Sequence, residues 1–84
     1  MVSAEADVQV ARELGADTVP KANYQLNLAR EEIDRARALS ANDDNDLADT
    51  MLQRAAADAQ LAIALTREQR ARDEAAALGP ASQP

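Results

Sequence analysis

Two stripes of small and aliphatic residues, spaced at alternating steps of four and three, constrain this chain more than any other feature. The first runs through Ala22, Leu26, Ala29, Ile33, Ala36 and Ser40, and the second through Ala48, Leu52, Ala55, Ala59, Ala62 and Thr66. That spacing lines each set along one face of a helix and is incompatible with a strand, whose faces alternate every second residue. Between the stripes lies Asn42-Asp43-Asp44-Asn45, which has poor helix propensity and good turn and capping chemistry. The pattern predicts an all-α fold built on an antiparallel helical hairpin.

The remaining punctuation predicts a single domain over residues 1–79, with helices at about 4–14, 19–41 and 45–78 and a disordered tail at 80–84. Ser3 is placed to cap the first helix, with Glu5 and Asp7 in its favourable first turns, and Gly15 to stop it. Asp17 or Thr18 starts the second helix, with Pro20 in the first turn, where its missing N–H costs nothing. Asp44 or Asn45 starts the third. No Gly or Pro interrupts that helix before Gly79-Pro80, which predicts a length of roughly 45–50 Å and an overhang beyond its partner. The overhang, from Arg67 to Leu78, is charged and then alanine-rich, and is expected to be unpaired or frayed.

The third helix carries a second apolar edge, Leu47, Met51, Leu61 and Leu65, with Asp58 set within it as a wet rim. Two stripes on one helix imply two helical neighbours. The first helix is the expected second neighbour, giving an up-down-up three-helix bundle with close approach at alanine. Were it not to dock there, the same edge would serve as a dimer interface. An 84-residue chain whose apolar content is largely alanine buries little transfer free energy, so self-association or a partner helix is in keeping with its composition.

The chemistry-bearing residue types are few. The chain contains no His and no Cys, and Lys21 is its one lysine, so no nucleophile–base constellation can be assembled and no catalytic residue is proposed. Disulfides and thiolate metal sites are excluded with the cysteines. The Asn42–Asp46 run fails the calcium-loop template, with Leu47 where glycine is needed and Gln53 where glutamate is needed. No metal or cofactor is therefore expected. A formal net charge of -6, with acids clustered at the turn, disfavours binding to nucleic acid. No segment is apolar for long enough to insert in a bilayer, and no signal peptide is read at Met1-Val2-Ser3.

Tyr24, the one aromatic, reads first as a flank covering a thin core with its hydroxyl in water, and second as a recognition residue. Arg67, Arg70 and Arg72, offset by Glu68, Asp73 and Glu74, read as a solvated helix end before a docking site. The residues expected to carry any partner contact or self-association are Tyr24, Leu47, Met51, Leu61 and Leu65.

One order of residues is less generic than the rest. Arg12, Gly15, Ala16, Pro20, Tyr24, Leu28, Ala29, Arg30, Ile33, Ala36 and Leu39 precede the Asp-rich turn, and Leu47, Ala48, Ala55, Asp58, Ala59, Leu61 and Ala62 follow it. From about Val8 to Arg72 this resembles a bacterial helical-hairpin domain of unknown function, the DUF4398 family. Such domains are common in envelope lipoproteins, often ahead of an OmpA-like peptidoglycan-binding domain. The resemblance implies a periplasmic or envelope location and a non-enzymatic scaffold or protein-interaction role. It carries over no catalytic or binding residue. The lipid-bearing cysteine and the OmpA-like domain are not in this sequence, as in an excised domain. Two other readings stand beside it: a self-assembling coiled-coil spacer using the same edge, and an acidic cytoplasmic adaptor that mimics nucleic acid through its Asp cluster.

Overall fold

Helix α1, Ala4–Glu13, opens a three-helix arrangement without strands among the described residues, 3–79 of a computed structural model. A short 3₁₀ turn, Ala16–Thr18, leads to α2, Pro20–Ala41, and the hairpin returns as α3, Asn45–Leu78. The expected tail at 80–84 lies outside the described residues. At 1.5 Å per residue the 34-residue α3 is about 51 Å long and the 22-residue α2 about 33 Å, so α3 overhangs.

The caps explain where each helix begins and ends. The Ser3 hydroxyl accepts a hydrogen bond from the Ala6 N–H, as its position predicts. Gly15 leaves α1 with φ 89°, and a Cβ there would meet the Arg70 Nη2 at 3.3 Å. The left-handed φ is what calls for glycine, since the Arg70 tip belongs to a flexible side chain. Neither Asp17 nor Thr18 caps α2: Val19 holds that position, Pro20 is the first helical residue, and the Thr18 hydroxyl donates back to the Gly15 carbonyl at 2.7 Å. The 3₁₀ turn consumes both residues before the helix starts.

The hairpin turn is a Schellman motif. Asp43 takes φ 60°, the Asp44 N–H donates to the Leu39 carbonyl and the Asp43 N–H to the Ser40 carbonyl. Asp44 then serves as the first residue before α3, without a side-chain capping bond. The Asp-rich turn is thus accounted for by backbone geometry, since Asp tolerates the left-handed region better than most residues.

The core follows the two stripes. Ala22, Leu26, Ala29, Ile33 and Ala36 of α2 are buried, as are Ala48, Ala55, Ala59, Ala62 and Thr66 of α3. The buried Thr66 hydroxyl donates to the Ala62 carbonyl one turn back, at 2.7 Å. Ser40 and Leu52 depart from the pattern and are exposed, Leu52 at 37%. Both sit toward the turn, beyond the start of the 10-residue α1, where the molecule is only two helices thick.

The position of α1 corrects the expectation for the second edge. The Gln60 amide donates to Asp7 of α1, and the Arg70 guanidinium donates to the Leu14 carbonyl at the end of α1. Ala4, Val8 and Ala11 join a common cluster with Ala56 and Ala59, with Ile63 packed against it. At about 100° per residue, Ala56, Gln60 and Ile63 lie on the opposite flank of the seam from Leu47, Met51, Leu61 and Leu65. Helix α1 docks on the alanine flank, where small side chains allow close approach, and leaves the leucine edge open. Arg70, expected in a solvated run, instead places a cation on the carbonyl end of α1.

Candidate interaction surface

The face of the hairpin turned away from α1 collects most of the residues expected to make contacts. From α3 it presents Leu47 and Leu61, 49% and 43% exposed, with Met51 and Leu65 half-buried between solvent and seam. From α2 it presents the half-buried Leu28 and Leu39 at the matching flank. Tyr24 is 66% exposed, so it does not cover the core; it borders a shallow depression with Pro20, Lys21, Gln25 and Leu65. The structure therefore brings Tyr24 and Leu65 together at one end. Leu47 and Met51 lie at the other end, toward the turn.

Charged residues occupy the middle of this face. Glu32 of α2 is buried at 9% exposure, and its Oε1 has no hydrogen-bond partner. Asp58 of α3, half-buried, faces it across the seam, with Arg35 and Arg54 near enough to act on its charge. Burial, hydrogen bonding to Asp58 and repulsion from that carboxylate push the Glu32 carboxyl up to about 7, against the pull of Arg54 and Arg35. The charge pattern hides this pair, because Glu32 sits in a run of alternating charges that reads as a solvated face. Its spacing of four from Leu28 and seven from Leu39 was the available signal.

The raised value has a consequence for stability. A carboxyl that binds its proton more tightly when folded favours folding when protonated. This contribution is fully present below the ordinary value of 4.5 and is lost as pH rises through about 7. Glu32→Gln, which keeps the shape without the charge, is expected to raise stability at pH above 7 by roughly 1–3 kcal/mol and to flatten the difference between pH 4.5 and 7. Urea unfolding at a series of pH values measures this; an unchanged pH profile would show that Glu32 is not held in this state.

The opposite side, along α1 and α2, is polar. Arg37 pairs with Glu5 at 2.7 Å and with Asp34 at 3.5 Å, all largely exposed, and such pairs contribute little to stability. Among the described residues no group of three or more acidic, His or Cys side chains could hold a metal ion, and no helix is long and apolar enough to cross a membrane.

Fold and surface together define a small all-α hairpin domain with one helix docked on one side and a mixed apolar and charged face on the other. The chain belongs to the family described as Domain of unknown function (DUF4398), whose model matches residues 1–78. No curated protein and no solved structure gave a significant match.

Proposed function

We propose that this domain is a non-enzymatic scaffold or protein-interaction module of a bacterial cell-envelope protein, and that it works through the open α2/α3 face. The observation that carries the reading is the position of α1. It covers the alanine flank of α3 and leaves Leu47 and Leu61 substantially exposed on a continuous edge. Leucines left this exposed along one edge of a packed helix favour a contact surface over a solvated helix side, with the charged residues between them available to set its register. The non-enzymatic part rests on residue inventory: the sequence has no His or Cys and one lysine, and offers no nucleophile–base constellation. The envelope location rests on the family resemblance of the sequence.

A photo-crosslinking residue placed at Leu61 of the protein, expressed in its own cells, tests the reading. Adducts are expected from Leu61 and not from Val10 on α1, and they are expected in the envelope fraction. Adducts from Val10 alone would place the contact on the wrong side of the domain for this account.

A further inference from the structure

The α3 residues of the open face have an internal symmetry. Leu47, Met51, Arg54, Asp58, Leu61 and Leu65 follow one another at steps of four and three, the spacing of a coiled-coil seam. About a point at Ala56 they mirror one another in kind. Leu47 stands opposite Leu65, Met51 opposite Leu61, and Arg54 opposite Asp58. A two-fold axis at that level would lay α3 antiparallel on α3 of a second copy, with leucine or methionine against leucine in the four outer layers. Each Arg54 would meet Asp58 of the second copy in the two central layers. An isologous contact requires a surface complementary to itself, and this stripe meets that requirement in shape and in charge.

Resting on the reading of this face as the contact surface, we infer that its occupant is a second copy of this chain, docked antiparallel in the register that sets Arg54 against Asp58. The contact spans Leu47 to Leu65, about 27 Å of α3. All six residues are exposed or half-buried in the single chain, so they are available to the second copy. Helix α1 does not obstruct the approach, because its hydrogen bonds to α3 come from Gln60 and Arg70 on the other flank. Glu32 of α2, buried and interacting with Asp58, backs that carboxylate from inside each copy. The product is an antiparallel four-helix arrangement of two hairpins, each with α1 on its outer side. Its central charged layers fix the register, as a polar position does within a coiled-coil seam.

Charge exchange tests the register and the partner together. Arg54→Asp leaves two acids at the centre of the stripe, and Asp58→Arg leaves two cations. Each variant alone is expected to weaken self-association at least about tenfold by sedimentation equilibrium, with helicity retained. An equimolar mixture of the two restores opposite charges at every central layer and is expected to sediment as a dimer, as is the chain carrying both exchanges. Wild-type protein that stays monomeric from micromolar to near-millimolar concentration would overturn the inference while leaving the face open to a different partner. Dimers that persist in both single variants would overturn the register. Loss of Leu61 adducts in cells, by contrast, would remove the face itself.

Discussion

Ala59→Leu is expected to destabilise the domain by at least about 1–3 kcal/mol, a loss out of proportion to a conservative apolar change. Ala59 is fully buried on the seam, with Ala55 and Ala62 of the same helix and Ala29 of α2 equally inaccessible. Three further heavy atoms at that point have no cavity to enter, so they must push α3 away from α2 or force a strained rotamer. Separation would also loosen α1, because Ala59 belongs to the cluster that includes Val8 and Ala11. The total stability of a chain this size is of order 4–13 kcal/mol, so the change consumes a large share. Urea unfolding followed by helicity should show a lower midpoint. A midpoint equal to or above wild type would mean that the helices are not in close contact at Ala59.

Leu26→Ala is expected to cost about 2–5 kcal/mol, with a fall in melting temperature of roughly 10 °C or more. Leu26 is 1% exposed and is one of the two largest fully buried side chains, the other being Thr66. In a core made mostly of alanine, few neighbours can move to fill the space it leaves. Leu52 supplies the comparison. It holds the equivalent place in the sequence stripe of α3 but is 37% exposed, so Leu52→Ala is expected to cost less than about 1 kcal/mol. Equal losses at the two leucines would contradict the position of α1 relative to the turn.

The contrast between Leu26 and Leu52 shows what the sequence carried and where it stopped. Periodicity placed ten of the seam residues correctly, because a helix has only one face that recurs at that spacing and the Asp-rich turn leaves only one way to fold back. It could not place Leu52 and Ser40, whose exposure depends on how far α1 reaches along α3. The flank chosen by α1 was also illegible. Size argued for the leucine edge, but docking is decided by how closely backbones approach, and Ala56 and Ala59 allow more than Leu61 and Leu65 do. The polar contacts that fix the choice, Gln60 with Asp7 and Arg70 with the Leu14 carbonyl, join residues 53 and 56 positions apart. No local pattern announces such pairs.

The candidate surface was half legible in the same sense. Its apolar members, Leu47, Met51, Leu61 and Leu65, stood out as an edge, whereas Glu32 was hidden in a charged run. Tyr24, favoured as core cover by composition, is exposed because it projects from α2 beyond the edge of the α2/α3 seam. The mirror relation between Arg54 and Asp58 was present in the sequence throughout. It acquires meaning once α1 is known to occupy the other flank.

The antiparallel register proposed for α3 against a second α3 can be read directly by cross-linking. Because the chain has no cysteine, single cysteines at Leu47 and at Leu65 can be joined by a short bifunctional thiol cross-linker without background. Antiparallel packing puts Leu47 of one copy beside Leu65 of the other and keeps identical positions about 27 Å apart. Each variant alone should therefore remain a single chain after treatment, and the mixture of the two should yield a covalent dimer. Cross-linking of Leu47→Cys with itself, or no dimer from the mixture, would contradict the antiparallel register.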